Sequence, residues 1–321
     1  MIKWGIIGCG NVCEVKSGPA FYKIENSSLV AVVRRNVDKA RDFATRHNVP
    51  KYYSDVDDLI QDPNVDIVYV ATPPESHANL AIKVLEAGKP VYVEKPMAMN
   101  YQECLSMIEA SKKYNQKLFV AYYRRSLPYF LKIKELINKQ VIGKVQVVKM
   151  EFFRPPLSTD LKKETHSWRL NKEIAGGGYF YDMASHTIDI LLFLLGNIKK
   201  ANGITGNTAG LYSVEDTISA SFLFESGVIG SGIWSYASSY QPKDEIEIIG
   251  EKGSIRFSTF ACDIIEMKIE NNTIQFPFSK PRHIQMDMIQ DIVNKLTGKG
   301  KSPSNAETAS LTNRVMDEIF K

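Results

Sequence analysis

The sequence predicts an α/β protein in two parts: a doubly wound parallel sheet, then a second α/β domain on an open, largely antiparallel sheet. Three observations carry that expectation. Over the first third, apolar strand-like runs alternate with helical stretches. The first run, Ile2–Ile7, passes directly into the glycine pair Gly8 and Gly10. From about Val214 onward, strands follow one another through turns with no helix between them. A chain of 321 residues can hold two domains, each with its own core, and the expected division is 1–121 and 122–321.

In the first part, Gly8-Cys9-Gly10-Asn11-Val12-Cys13 follows the opening strand and begins a dinucleotide fingerprint. The first glycine serves the tight turn, and the second lets the backbone of Gly10, Asn11 and Val12 approach a pyrophosphate. Cys13 stands where a glycine or alanine is usual, which sets the following helix slightly off its strand. The next strand, Leu29–Val33, ends in Arg34 and Arg35. Roughly twenty residues after the glycines, NAD enzymes carry an acid that binds the ribose hydroxyls. A guanidinium there can bind a 2′-phosphate bidentately instead, so the expected cofactor is NADP, with NAD less favoured.

A helix over Asp38–His47 and a short helix capped by Ser54 lead to the strand Asp66–Ala71, which stops at Thr72-Pro73-Pro74. A helix from Leu80 to Ala87 ends at Gly88. Val91-Tyr92-Val93 then runs into Glu94-Lys95-Pro96, a charged pair at the carboxyl edge of the sheet, where open α/β sheets bind ligands. Pro96 cannot continue a strand ladder and biases Lys95 away from helix; the Lys95–Pro96 bond is open to the cis form. Asn100 and Glu103 read as a capping box for a helix through Tyr114, and Leu118–Ala121 closes the alternation.

In the second part, Leu127, Phe130, Ile133 and Ile137 mark a helix, and Lys144–Phe153 a strand. Later strands are expected at 217–224, 228–236, 245–249 and 254–257, with hairpin turns at Ser226-Gly227 and Lys252-Gly253. Helices over 284–296 and 305–320 end the chain. Between these lies Gly176-Gly177-Gly178, followed by a strongly apolar helix that carries Asp182, His186 and Asp189. Spacings of four and three put these on one face, and a polar stripe on so apolar a helix is expected to line a cleft.

Composition excludes several classes. The 40 basic and 36 acidic residues are interspersed, which argues against nucleic acid or a membrane surface as partner. Four cysteines without a Cys-x-x-Cys suggest neither a disulfide framework nor a zinc site, and no metal is expected. Reduced thiols fit a cytoplasmic protein. The opening strand at Ile2 leaves no room for a signal peptide, and the longest apolar run, Ile190–Leu195, is far too short to span a bilayer.

Taken together, the glycine turn, Ala71-Thr72-Pro73-Pro74 with His77, Ala87-Gly88-Lys89-Pro90 before Glu94-Lys95-Pro96, Trp168-Arg169, and Gly176-Gly177-Gly178 before Asp182 and His186 resemble the Gfo/Idh/MocA family, the glucose–fructose oxidoreductase and inositol dehydrogenase group. The resemblance implies a Rossmann domain, a C-terminal domain with an open sheet, and homodimers or homotetramers built through that sheet. It implies that Lys95, Asp182 and His186 are catalytic, and that Trp168 and Arg169 lie near the nicotinamide. Thr72, Pro73, His77 and Glu94 join the expected cofactor residues. Tyr122, Tyr123, Arg124 and Tyr179 are expected to line the substrate pocket with the catalytic residues.

The residue chemistry agrees. Hydride transfer at a secondary alcohol needs a matching proton transfer and stabilisation of alkoxide character. His186 suits the acid/base role, Asp182 can orient it, and Lys95 can polarise the substrate oxygen. The residue types also admit the reverse assignment, with Lys95 as proton donor. The expected activity is NADP-dependent oxidation or reduction of a sugar, anhydrosugar, cyclitol or related diol. Two rival readings are a regulator that binds NADP(H) without turnover and a glycosidase that holds NAD for transient oxidation.

Overall fold

Strand β1 (Ile2–Ile7) is buried from Trp4 to Ile7, because its apolar run is covered on both faces. Parallel to it on one side lie β2 (Ser27–Val33) and then β3 (Lys51–Tyr53); on the other lie β4 (Ile67–Val70), β5 (Val91–Val93) and β6 (Leu118–Val120). The order β3-β2-β1-β4-β5-β6 reverses direction at β1, so the carboxyl ends of β1 and β4 flank the switch point where such sheets take ligands. The computed structural model describes residues 1–238 and 240–321.

The connecting helices follow local chemistry. After the glycine pair comes α1 (Asn11–Val15), only five residues long, then α2 (Ala20–Lys23). The break falls at Ser17-Gly18-Pro19, where a side chain on Gly18 would put its Cβ 2.0 Å from Cys13 O. Asn36 caps α3 (Val37–Arg46) by accepting from Lys39 N. The cap of α4 (Val56–Gln61) is Asp55, which accepts from Asp57 N, and not Ser54 as expected. Helix α5 (His77–Glu86) starts three residues earlier than its apolar pattern suggested. Asn100 caps α6 (Tyr101–Lys113), but Glu103 returns to the N–H of Met99, one residue before the expected partner.

In the second unit, α7 (Pro128–Asn138) leads to β7 (Val145–Phe153). Helix α8 (Lys172–Ala175) precedes a π-helical turn over Phe180–Ala184, which continues into α9 (Ser185–Leu195). The strands are β8 (Ile198–Gly206), β9 (Thr217–Phe224), β10 (Ile229–Ser235), β11 (Lys243–Gly250), β12 (Gly253–Phe257), β13 (Ile264–Ile269) and β14 (Asn272–Pro277). They form one sheet in the order β14-β13-β12-β11-β7-β10-β9-β8, antiparallel except for the β7–β10 pair. Burial alternates along β9 and β10. The inner face carries Trp234 against Phe180, and the outer face carries Val147, Ile229 and Ile233 among ion pairs such as Lys149–Glu247.

The chain ends in α10 (Met286–Leu296) and α11 (Ala306–Ile319). By contact, Met1–Leu127 groups with Pro281–Ser310, and Pro128–Lys280 with Leu311–Lys321. Helix α10 groups with the first unit, where Gln285 bonds to Tyr92 and Glu94. Among the described residues, no helix is long and apolar enough to cross a membrane.

Candidate active site

The first unit brings its predicted site residues to the carboxyl ends of β1, β2, β4 and β5. Gly8 has φ +87°, and a Cβ there would lie 2.8 Å from Thr72 Cγ2 and 3.1 Å from the Ala71 backbone. It is glycine because the turn and the neighbouring strand demand it. Gly10 differs: an added Cβ would meet nothing nearer than Gly8 O at 3.9 Å. Its lack of a side chain therefore serves open space in front of the turn, the cradle a pyrophosphate needs. With only five residues, α1 has a weak dipole. Asn11 is exposed and Val12 partly so, whereas Cys13 is fully buried behind the turn.

Arg34 leaves the end of β2 and points a guanidinium N–H at Cys9 O, 3.4 Å away, which sets its charge against the glycine turn. Arg35 beside it is exposed. Burial raises the Cys9 thiol to about 11, so it stays protonated although Arg34 pulls the other way. Thr72 and Pro73 are half-buried at the end of β4, and Ser76 Oγ bonds Thr72 Oγ1 at 2.7 Å. His77 has no exposed surface; its ring nitrogens lie 3.0 Å from Pro96 O and 2.8 Å from Thr72 O. Burial holds its pKa below the ordinary value. A neutral ring carries one N–H, so it donates to one of these two carbonyls, and the ring stands between the β4 loop and the segment after Lys95.

The Lys95–Pro96 bond is cis, and Lys95 is half-buried. Glu94 is buried, and its carboxylate is occupied by protein donors. Oε1 accepts from Tyr69 Oη at 2.5 Å and Gln285 Nε2 at 2.7 Å, and Oε2 accepts from Lys95 N at 3.1 Å. It shapes the strand end from inside. The two tyrosines that approach it, Tyr69 and Tyr92, are register partners in β4 and β5, stacked with centroids 5.0 Å apart. A tyrosine inside each of two otherwise aliphatic central strands was the available sign of a buried polar network.

In the second unit, Gly177 is closely approached: a Cβ there would lie 2.2 Å from the Tyr181 ring, which packs back over the start of the π turn. That turn carries Asp182, and π-helical turns recur at functional sites. Asp182 Oδ2 takes the Arg169 Nε–H at 2.7 Å, and the Arg169 guanidinium stacks 4.4 Å over Trp168. What the structure shows for the Trp168-Arg169 pair, expected near a nicotinamide, is support of Asp182. His186 opens α9, nearly buried, with Phe260 edge-on at 6.1 Å. Asp189 was expected on the same cleft face but is buried, with Thr312 Oγ1 of α11 within 3.5 Å. Asp182 is half-buried while His186 and Asp189 are buried, so the three residues do not form one exposed stripe.

The expected substrate-pocket residues are well covered. Tyr122, Tyr123 and Arg124 are buried, with the Arg124 guanidinium on Tyr123 Oη at 3.0 Å. Tyr179 donates its hydroxyl to Asp160 at 2.6 Å beneath the Arg154 guanidinium, and burial raises its pKa to about 12. It anchors the loop ahead of the glycines, a role its position in the sequence did not reveal.

A family profile described as "Oxidoreductase family, NAD-binding Rossmann fold" matches residues 2–122, and one for the GFO/IDH/MocA C-terminal domain matches residues 130–256. The chain is 42% identical over 320 residues to Oxidoreductase P35 of Formosa agariphila, covering 98% of this chain and 97% of that one. It is 30% identical over 257 residues to the myo-inositol 2-dehydrogenase of Thermotoga maritima, covering 78% and 73%. A solved structure of levoglucosan dehydrogenase with NADH and levoglucosan superposes with a TM-score of 0.86 over 99% of this chain and 96% of that one, at 24% identity.

Proposed function

The chain belongs to the GFO/IDH/MocA family of oxidoreductases, and on that premise we propose an NADP-dependent enzyme that interconverts a carbonyl and a secondary alcohol of a sugar, anhydrosugar, cyclitol or related diol. The observation that carries the cofactor choice is Arg34, whose guanidinium stands beside the glycine turn where a carboxylate would repel a 2′-phosphate. The space in front of Gly10 suits the pyrophosphate. The substrate class is supported by the myo-inositol 2-dehydrogenase and levoglucosan dehydrogenase among the similar proteins.

Gly8, Gly10, Asn11 and Val12 would hold the pyrophosphate through their backbone, with Arg34 and Arg35 on the adenosine phosphate and Thr72 and Pro73 beside the turn. The bound cofactor would supply the hydride acceptor or donor. Lys95 polarises the reacting oxygen of the substrate and stabilises charge that develops on it. His186 takes the hydroxyl proton in oxidation and returns it in reduction. Asp182, held by Arg169, fixes the electrostatic surroundings of that proton transfer. The outer face of the second sheet, with Val147, Ile229 and Ile233, serves as the assembly surface of a homodimer or homotetramer. We place the enzyme in the cytoplasm, which suits four buried cysteines outside any disulfide.

The test is His186→Asn, assayed for turnover and for NADPH binding by fluorescence. Turnover should fall by about 100-fold or more while NADPH affinity stays within about twofold. Parallel loss of both would refute the acid/base assignment.

A further inference from the structure

Gln285 stands immediately before α10, has no exposed surface, and touches both parts of the first unit on which the proposed chemistry depends. Its amide oxygen accepts from Tyr92 Oη at 2.9 Å, and its amide nitrogen donates to Glu94 Oε1 at 2.7 Å across 191 residues of sequence. The other oxygen of Glu94 accepts the Lys95 backbone N–H. Through its own backbone, Gln285 N donates to Lys16 O at 3.2 Å, and His283 Nδ1 lies 2.7 Å from Val15 O. Val15 and Lys16 close α1, the helix after the glycine turn, whose last carbonyls have no partner within so short a helix.

We propose that Gln285 is a positioning residue for Lys95, a hydrogen-bonded clip from a distant segment that sets the end of β5 while its backbone secures the cofactor turn. The inference rests on the reading of Lys95 as catalytic. The residue type follows from the two bonds. The amide accepts from the tyrosine hydroxyl through its oxygen and donates to the carboxylate through its nitrogen, so one side chain satisfies both partners. A carboxylate in its place would face Glu94 without a donor. An apolar side chain of the same length would leave the Tyr92 hydroxyl without its acceptor and Glu94 with one donor fewer in a buried setting. Either change lets the Glu94 carboxylate turn, and Lys95 N moves with its Oε2. The two halves of the clip also divide the effect: the side chain governs Lys95, and the backbone governs α1.

The test compares the full-length wild type with Gln285→Met, Tyr92→Phe and Lys95→Met. It reads steady-state kcat and KM with NADPH, NADPH affinity by fluorescence titration, and the melting temperature. Gln285→Met should lower kcat roughly 10- to 100-fold, the range expected when a reacting group is misplaced by up to an ångström, with NADPH affinity within about twofold of wild type. Tyr92→Phe, which removes one of the two side-chain bonds, should lower kcat in the same direction by less. It carries the test alone if Gln285→Met does not fold. Wild-type kcat in both variants, with turnover lost in Lys95→Met, would overturn the role of Gln285 and leave the enzyme reading standing. Loss of kcat in step with NADPH affinity would reduce Gln285 to a structural residue. Full turnover in Lys95→Met would overturn the premise itself.

Discussion

Gly8→Ala and Gly10→Ala lie two residues apart and should fail in opposite ways. At Gly10 the backbone has φ −98° and ψ −160°, an extended conformation open to alanine, and the nearest atom to the new Cβ is 3.9 Å away. Alanine is a poorer helix cap than glycine, but it restricts the unfolded chain, and each effect is below about 1 kcal/mol. The melting temperature should therefore move by no more than about 2 °C. The methyl group occupies the space a pyrophosphate must enter. Overpacking of about 1–3 kcal/mol corresponds to a roughly 5- to 150-fold weaker NADPH complex. At Gly8 the left-handed backbone costs alanine about 1–2 kcal/mol, and crowding against Thr72 Cγ2 at 2.8 Å adds to it. That variant should melt about 5–10 °C lower. Differential scanning fluorimetry and NADPH titration on both proteins read the contrast. Wild-type NADPH affinity in Gly10→Ala would refute the assignment of this turn to the cofactor.

Other perturbations test separate parts of the site. Arg34→Glu should weaken NADPH binding about 10- to 100-fold, the worth of a charge-assisted hydrogen bond, while NADH binding holds or improves; equal losses for both would make Arg34 structural. Arg169→Met removes the 2.7 Å pair to Asp182, but Arg169 is more than a third exposed, so stability should change by less than about 1 kcal/mol. Turnover should nevertheless fall roughly tenfold or more, and unchanged turnover would show that Asp182 needs no such support. Burial lowers the pKa of His77, so the folded state favours the neutral ring and the unfolded state takes up the proton first. Its contribution to stability is complete above the unfolded value of about 6.5 and is lost as pH falls toward the depressed folded value. The melting temperature should fall more steeply between about pH 7.5 and pH 5.5 in wild type than in His77→Asn, and equal slopes would contradict this.

The parallel sheet was readable because β1, β4 and β5 are covered on both faces and so appear as continuous apolar runs. β3 was not, since Lys51–Tyr53 is a three-residue edge strand with little to bury, and β14 is exposed along most of its length. Lys95, Arg34 and the glycine turn were identifiable because each follows its strand directly, so local order alone puts it on the sheet edge. What could not be read depends on distant contacts. Gln285 on Glu94, Thr312 beside Asp189 and Tyr179 on Asp160 join residues 191, 123 and 19 positions apart. The π turn at Phe180–Ala184 escaped for another reason: periodicity assumes 3.6 residues per turn, and the apolar pattern there does not report the wider one.

The central claim, NADP-linked turnover that depends on Lys95, is tested most directly by following NADPH consumption against ketoses, anhydroketoses, dicarbonyl sugars and aromatic diketones, and NADP⁺ reduction against cyclitols and diols. NADH and the Lys95→Ala protein run as controls. The predicted result is turnover with NADPH in preference to NADH, abolished in Lys95→Ala. Tight NADPH binding with no turnover in either direction would contradict it and leave a protein that binds the cofactor without using it.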